Sequence, residues 1–260
     1  MRGARPDPLR GLPAALRVDT GDRARHGIRI SLPSASKPAR SCPRVVAAEP
    51  APGAALRALE YAVVDVETTG GPSGRGHRIT EVCAVRVSAD GRTVAEFATL
   101  LNPDRAILPF VTSLTRITGE MVAGAPRFGE IAAELAKVLE GAVFVAHNAT
   151  FDWSFVSREL ERAGGGPLRG RMLCTVHMAR RLVPEVSSRS LDALTDYFGV
   201  HNAARHRAYG DARATAAVFR RLLERLEERE VAHWEELQTL LRRRAPRRKR
   251  IASPHPMTER

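Results

Sequence analysis

Two carboxylates stand in a stretch of sequence that otherwise has the character of a buried β-strand. Residues 63–70, V-V-D-V-E-T-T-G, are largely apolar and β-branched, yet they include Asp65 and Glu67. Because side chains alternate along a strand, both acids point to one face, with Cα atoms about 6.6 Å apart. Neighbouring acids repel unless cations lie between them. The pair indicates a divalent-metal site at the C-terminal end of a central strand; the competing interpretation is a surface strand with two solvated acids.

Three more polar residues lie at the edges of predicted elements. Asp152 lies in H-N-A-T-F-D-W-S-F, where large apolar neighbours leave an acid in need of a partner. His206 and Asp211 lie in H-R-A-Y-G-D-A-R-A-T. On an unbroken helix these two side chains would be about 140° apart. They converge only if Gly210 marks the passage from loop to helix.

The segments V-D-V-E-T-T-G, H-N-A-T-F-D and H-R-A-Y-G-D-A-R-A-T, in this order, resemble the three motifs of the DEDDh 3′–5′ exonuclease family. This family, also called DnaQ-like, includes the proofreading epsilon subunit of bacterial DNA polymerase III. Between the first two motifs, L-T-R-I-T-G-E-M resembles the family's substrate-contact segment. The resemblance covers residues 61–226. It implies an α/β fold, a ribonuclease-H-like mixed β-sheet flanked by α-helices, and hydrolytic removal of nucleotides from 3′ ends.

The same resemblance implies roles for five residues. Asp65, Glu67, Asp152 and Asp211 correspond to the metal-binding acids, which implies two divalent ions, Mg²⁺ or Mn²⁺, as cofactors. His206 corresponds to the general base that takes a proton from the attacking water. All five positions hold residue types competent for these roles, so the resemblance predicts an active enzyme.

Substrate contacts are expected beside these acids. Thr68 resembles the family residue that contacts the terminal nucleotide, and His147 and Asn148 lie where the strand ends would meet the scissile phosphate. A turn or a helix cap is an equal interpretation of Asn148. Many family members carry Leu or Met after T-T-G as a wedge against the terminal bases. Here Gly71 stands in that place.

Alternating strands and helices are predicted around these motifs. The first three strands have short links and predict an antiparallel meander. Beyond the strand with the two acids, strands are expected at 79–87, 93–101 and 142–146, and helices at 114–121, 128–139, 150–163, 191–198 and 211–244. A mixed sheet flanked by helices is the consistent architecture.

The net charge of +12 is concentrated at the two ends of the chain. Residues 1–50 hold 10 Lys and Arg against 4 Asp and Glu, and residues 241–260 hold 8 against 1. Basic ends predict non-specific attraction to nucleic acid. The predicted domains are a disordered basic segment over residues 1–55, an exonuclease domain over 56–230, and a helical extension with a basic tail over 231–260. The apolar stripe of that extension could cover a partner or a second patch of the same domain.

Three scattered cysteines and the lack of an apolar run of about 18 residues predict a cytoplasmic protein without membrane association. The favoured function is a metal-dependent 3′–5′ exonuclease acting on single-stranded DNA 3′ ends, in proofreading or repair. The same chemistry on RNA, as in ribonuclease T and oligoribonuclease, stays open because contacts to the 2′-hydroxyl cannot be located from sequence. Two hypotheses of another class are a nucleic-acid-binding protein that does not cut, and an accessory that docks onto DNA polymerase through its C-terminal segment.

Overall fold

A five-stranded mixed sheet forms the centre of the protein. The computed structural model describes residues 42–242. The strands, in chain order, are β1 Glu60–Thr68, β2 Ile79–Ser88, β3 Thr93–Leu100, β4 Val143–Ala146 and β5 Met172–Cys174. They lie in the order β3-β2-β1-β4-β5. β2 is antiparallel to both β1 and β3, whereas β4 is parallel to both β1 and β5. The predicted meander is confirmed, and β1 is the central strand.

Helices cover both faces of this sheet. Those within the described residues are α1 Pro109–Thr115, α2 Gly119–Ala123, α3 Phe128–Leu139, α4 Thr150–Arg162, α5 Thr175–Leu182, α6 Leu191–Phe198, α7 Ala208–Glu227 and α8 Trp234–Arg242. One apolar cluster joins the sheet to α3 and α4, and a second joins the opposite face to α5, α6, α7 and α8. From residue 42 to residue 242, no helix has the length and apolarity needed to cross a membrane.

The alternation of side chains along β1 decides which helices its acids face. Tyr61 and Val63 belong to the cluster on the α7 side, whereas the even-numbered apolar residues pack on the α3 and α4 side. Asp65 and Glu67 continue the odd-numbered series. Both acids therefore project toward the face on which α7 lies.

The C-terminal third differs from the single long helix predicted for it. α7 ends at Glu227, Glu230 takes a left-handed backbone conformation with φ of 58°, and α8 starts at Trp234. The turn lets α8 fold back, which buries Trp234 and Leu237 in the α7-side cluster. Of the two interpretations of the apolar stripe, the structure supports a second patch of this domain.

Four smaller elements also differ from the prediction. α1 and α2 replace the helix expected at 114–121, because Arg116 has a left-handed backbone, with φ of 59°, and ends α1 there. β5 and α5 had no predicted counterpart. A strand of three residues is too short to display an alternating pattern, so sequence periodicity could not reveal β5.

The chain before β1 is packed from residue 42 onward, which corrects the prediction of disorder for residues 42–55. Val45 and Ala47 are buried in the α3 and α4 cluster, and the backbone N–H of Ala47 donates to the carbonyl oxygen of Arg169 at 2.8 Å. A run of four small apolar residues, V-V-A-A, supplies this contact, although its surroundings are polar and basic. The predicted disorder of residues 1–41 and the predicted basic tail of residues 243–260 lie outside the described residues.

The segment leading into β1 also meets the segment leading into α8. Ala55 and His233 form an isolated antiparallel bridge. On either side of it, the N–H of Leu56 donates to the oxygen of Ala232 at 2.8 Å, and the N–H of Trp234 donates to the oxygen of Ala54 at 3.0 Å. The segment before β1 and the segment before α8 therefore lie side by side.

Candidate functional site

The two acids of β1 meet a third acid from α7. Oxygen atoms of Asp65, Glu67 and Asp211 all lie within 4.8 Å of one another. The first two come from alternate positions of the central strand, and Asp211 comes from the first turn of α7 on the same side of the sheet. All three side chains are partly buried. Three convergent carboxylates with hard oxygen donors form a site suited to a divalent cation such as Mg²⁺.

Asp152 lies beside these acids on the α4 side of the sheet, and it is not among the three whose oxygens are within 4.8 Å of one another. It lies in the first turn of α4, is 3% exposed, and its Oδ1 accepts a hydrogen bond from the backbone N–H of Val66 at 3.1 Å. This bond ties the carboxylate to the strand position between Asp65 and Glu67. The prediction that an acid among these apolar neighbours has a partner is thus met by the backbone of β1.

The loop before α7 is shaped around Asp211. The carboxylate of Asp211 accepts hydrogen bonds from Asn202 Nδ2 at 2.6 Å and from the backbone N–H of His206 at 3.0 Å. His206 is exposed and has a left-handed backbone, with φ of 58°. His206 therefore lies on a loop, as predicted, and its main chain is bonded to the acid beside which its side chain was expected.

The passage from loop to helix occurs at Arg207 rather than at Gly210, where the sequence placed it. Gly210 lies in the first turn of α7, and a Cβ atom there would collide with the backbone oxygen of Ala204. Glycine is therefore required for the close packing of the 202–206 loop against the helix. The correction moves the start of α7 by three residues and leaves the convergence of His206 and Asp211 intact.

Crowding gives the acids unusual protonation behaviour. Burial, followed by the charges of Asp152, Glu67 and Asp211, raises the pKa of Asp65 well above its ordinary value. Burial and the neighbouring charge of Glu81 raise the pKa of Glu67 to about 8. Carboxyl groups that resist ionisation in this way are stabilised in their charged form by bound cations.

The other two acids behave similarly. Burial raises the pKa of Asp152 to about 8, although its backbone hydrogen bonds act in the opposite direction. Burial also raises the pKa of Asp211, against the hydrogen bonds from Asn202 and His206. All four predicted metal-binding acids therefore have raised pKa values, as expected of a site built to hold positive charge.

Sequence reasoning missed an ion pair beside these acids. Glu81, on β2, accepts two hydrogen bonds from the guanidinium of Arg207, at 2.7 and 2.9 Å, and both side chains are buried. Glu81 lies directly opposite Glu67 in the β1–β2 ladder. A signal was present, because Glu81 interrupts the apolar run I-T-E-V-C-A-V as Asp65 and Glu67 interrupt theirs.

The predicted substrate-contact residues surround the acids at the ends of β1 and β4. Thr68 is buried at the end of β1, and its Oγ1 accepts the N–H of Gly70 at 3.3 Å. His147 follows β4, with Nδ1 at 2.9 Å from Thr175 Oγ1, and burial lowers its pKa. Asn148 is exposed and has φ of 69°, so its backbone forms the turn before α4.

At the position where many family members carry the wedge residue, Gly71 lies against the ring of His77. A Cβ atom on Gly71 would lie 2.6 Å from His77 Nε2, so only glycine fits there without displacing that ring. The other ring nitrogen of His77 is 3.0 Å from Thr69 Oγ1. The turn after β1 therefore packs directly against the His77 ring. A Leu or Met side chain at this position would have to displace that ring.

Comparisons with known proteins agree with this geometry. The family model described as an exonuclease, RNase T, matches residues 62–219. A DNA polymerase III PolC-type of Caldanaerobacter subterraneus subsp. tengcongensis is 36% identical over 185 residues, 71% of this chain and 13% of the relative. The PolC-type polymerase of Staphylococcus aureus is 34% identical over 182 residues, 70% of this chain and 12% of the relative. This chain thus spans about an eighth of the length of these curated relatives.

Solved structures give the same result. Exonuclease X in complex with 5′ overhanging duplex DNA is similar with a TM-score of 0.53 and 28% identity, over 70% of this chain and 99% of the other. Escherichia coli Exonuclease I in complex with a dT13 oligonucleotide has a TM-score of 0.58 and 18% identity, over 66% of this chain and 42% of the other. The latter likeness concerns the fold alone, and it supports the ribonuclease-H-like architecture expected from the sequence motifs. With its motifs in register and most of its folded part matched, this chain belongs to the RNase T exonuclease family.

Proposed function

We propose that this protein is a metal-dependent 3′–5′ exonuclease that removes nucleotides from the 3′ ends of DNA. The observation that carries the proposal is the convergence of acids from three separate elements, β1, α4 and α7, beside the exposed His206. A packed core without a ligand would not gather four carboxylates with raised pKa values. Family membership supports exonuclease chemistry. The PolC-type DNA polymerases and the complex of Exonuclease X with DNA support DNA, rather than RNA, as the substrate.

The four acids would hold two divalent ions, Mg²⁺ or Mn²⁺. When bound, such ions neutralise the charge of a phosphodiester and make an attacking water more acidic. Burial and the charges of Asp152, Glu67 and Asp211 raise the pKa of Asp65, which suits its carboxylate to hold bound cations. The bond from the N–H of Val66 would hold the carboxylate of Asp152 beside these ions.

His206 would act as the general base. Its side chain is exposed, and its backbone N–H is fixed to Asp211 at 3.0 Å, so the ring is carried by a loop whose base is anchored in the site. An imidazole can accept a proton from water near neutral pH. Small movements of the 202–206 loop could bring the ring to the substrate without moving Asp211.

The 3′-terminal nucleotide would lie across the ends of β1 and β4. Thr68 would contact it through its hydroxyl and backbone, and His147 and Asn148 would lie beside the scissile phosphate. The phosphate would then face the acids, and the base would face away from the sheet. The turn closed by His77 would leave the terminal bases without the family's usual wedge.

The test is degradation of matched 5′-labelled single-stranded DNA and RNA oligonucleotides by the purified chain, with Mg²⁺, Mn²⁺ or EDTA. We expect a metal-dependent ladder that shortens from the 3′ end and forms faster on DNA. Faster shortening of RNA would favour the ribonuclease T and oligoribonuclease alternative. Binding without a ladder would favour the non-catalytic alternative.

Asp152→Asn provides the matched control for that test. It preserves the size of the side chain and an oxygen that can accept the N–H of Val66, while it removes a charge from the metal site. We expect cleavage to be lost while DNA binding is largely retained. Cleavage at the wild-type rate would remove Asp152 from the proposed machinery.

We further propose that this activity serves a DNA polymerase in proofreading or repair, because the matched curated relatives are PolC-type DNA polymerases. The buried side of α8 packs on its own domain, so a polymerase would contact its exposed side or the chain beyond residue 242. Deletion of residues 243–260 followed by a polymerase pull-down tests this idea. Undiminished capture would exclude those residues from the contact.

A further inference from the structure

The buried pair of Glu81 and Arg207 lies between the sheet and the start of α7. Arg207 donates from Nε and Nη2 to the two oxygens of Glu81, and the backbone N–H of Ala208 donates to the same carboxylate at 2.9 Å. Glu81 is 5% exposed and Arg207 is 8% exposed. One carboxylate on β2 thus fixes the guanidinium and an otherwise unpaired N–H at the beginning of the helix.

This guanidinium and Glu67 share Glu81 as a neighbour. Glu67 and Glu81 are directly opposite each other on the antiparallel strands β1 and β2, where Cβ atoms are separated by about 5 Å. Burial and the charge of Glu81 raise the pKa of Glu67, and the positive charge of Arg207 acts in the opposite direction. Arg207 nevertheless directs both of its bonded nitrogens to Glu81.

The permanently charged Arg207 can compete with a divalent cation for the Glu67 carboxylate. Arginine forms strong two-pronged pairs with carboxylates and does not lose its proton at neutral pH. If Arg207 turned from Glu81 to Glu67, it would occupy the oxygens that a divalent cation needs. Arg207 also joins His206 to α7, so this movement would disturb the start of the helix beside His206.

We propose that Glu81 is a positioning residue that holds Arg207 away from Glu67 and so keeps the Glu67 carboxylate free for a divalent cation. This inference rests on the proposed metal site. It assigns Glu81 no contact with substrate or with the reacting atoms. Its effect reaches the site through Arg207 and through the start of α7, where Asp211 lies one turn further on.

A purely structural pair would behave differently. If the pair only stabilised the fold, removing either partner would lower stability, and the folded protein would still bind cations normally. On our proposal, losing Glu81 alone and losing both partners have different effects on cation binding. Loss of Glu81 frees a cation that blocks Glu67, whereas loss of both groups leaves nothing to block it.

The test is Mn²⁺ binding by the full chain without nucleic acid, followed by the electron paramagnetic resonance of free Mn²⁺. We expect Glu81→Gln to raise the Mn²⁺ dissociation constant by about tenfold, as for other residues that act from behind a metal ligand. The double variant Glu81→Gln with Arg207→Met should return to within about threefold of the wild type. Equal weakening in the single and double variants, or none in the single variant, would overturn the proposal.

Glu159→Gln is the matched control, because the buried Glu159 forms a second two-pronged pair with the partly exposed Arg78, at 2.6 and 2.8 Å, on the other face of the sheet. It should leave Mn²⁺ binding unchanged, and weakening equal to that of Glu81→Gln would also overturn the proposal. If Glu81→Gln does not fold, Arg207→Lys and Arg207→Met ask the same question. The lysine keeps the charge without the fork and should bind Mn²⁺ several-fold more weakly than the methionine variant. Equal affinities would reject the idea.

The outcome separates this inference from the proposed exonuclease function. Wild-type protein that binds Mn²⁺ without cleaving DNA would refute the function, and the comparison of variants would still decide the role of Glu81. Wild-type protein that binds no Mn²⁺ would refute both. Cleavage with equal Mn²⁺ binding in all variants would refute the role of Glu81 alone.

Discussion

Among the buried and partly buried carboxylates of residues 42–242, two groups differ in how their charge is balanced. Glu81 and Glu159 each accept two hydrogen bonds from one guanidinium, and each is at most 5% exposed. Asp65, Glu67 and Asp152 have no such partner, and burial raises the pKa of all three. The paired acids hold elements together, whereas the unpaired acids face one another.

This difference separates structural acids from candidate functional ones without any appeal to relatives. A buried charge that is paired within the chain is satisfied by folding. A cluster of like charges is satisfied only by something that binds after folding. Neutralising an acid, adding metal or changing the pH should therefore affect stability differently for the paired acids and for the clustered acids.

The largest expected effect is on catalysis by an unpaired acid. Asp65→Asn should lower the rate of 3′-end cleavage roughly a thousandfold, because metal-assisted charge stabilisation contributes several kcal/mol to the transition state. Single-turnover degradation of labelled DNA in Mg²⁺ measures it. The same change should leave the melting temperature in EDTA unchanged or higher, since it removes repulsion. A clear loss of stability in EDTA would place Asp65 with the paired acids.

Next in size is the stability effect of a paired acid. Glu159→Gln should destabilise the protein by about 2 kcal/mol, because it removes the buried charge that pairs with the partly exposed Arg78 and Arg162. Urea denaturation in EDTA gives the free energy of unfolding. Cleavage by the folded variant should stay within about threefold of the wild type. Unchanged stability together with lost cleavage would reverse the assignment of Glu159.

The pH dependence of stability should come from the unpaired acids. In the folded, metal-free protein the pKa values of Glu67 and Asp152 are each about 8, against about 4 in an unfolded chain. The folded state therefore binds more protons, so this contribution is fully present below about pH 4 and is lost as the pH rises to about 8. The melting temperature in EDTA should fall over that window, by roughly 2–4 °C for each kcal/mol lost.

Saturating Mn²⁺ should remove that fall, because the cations replace the protons. The double variant Glu67→Gln with Asp152→Asn is the control, and its melting temperature in EDTA should depend less on pH than that of the wild type. A wild-type melting temperature that rises from pH 5 to pH 8 in EDTA would contradict the raised pKa values.

The smallest effect should come from a solvated acid. Glu227 pairs with Arg57 at 3.1 Å, and both side chains are more than half exposed. Glu227→Gln should change the free energy of unfolding by less than about 1 kcal/mol, because water and salt screen exposed ion pairs. Urea denaturation at low and high salt checks this. A loss as large as that of Glu159→Gln would show that pairing matters more than burial.

Much of the site could be predicted because its members break local patterns. Asp65 and Glu67 interrupt an apolar strand, and the period of two places them on one face, as the structure has them. Asp211 and His206 were expected to converge, and the hydrogen bond between them confirms their proximity. Their roles in catalysis stay predictions.

Other features were not predicted because they depend on contacts with residues far away in the sequence. Glu81 obeys the same logic as Asp65, but its partner Arg207 is 126 residues away, and sequence alone does not pair them. Residues 42–55 were predicted as disordered because a four-residue apolar run gives no period, whereas its burial depends on the distant Arg169 and Ala142. Sequence patterns therefore located the acids better than the contacts that hold them in place.

The bridge between Ala55 and His233 has a consequence for how far the protein can be shortened. The N–H of Leu56 donates to the oxygen of Ala232 and the N–H of Trp234 donates to the oxygen of Ala54, so the segment before β1 and the segment before α8 satisfy backbone groups of each other. A truncation that removes either segment leaves backbone groups of the other without partners. A shortened form should therefore keep both segments, rather than start at β1 or stop at the end of α7.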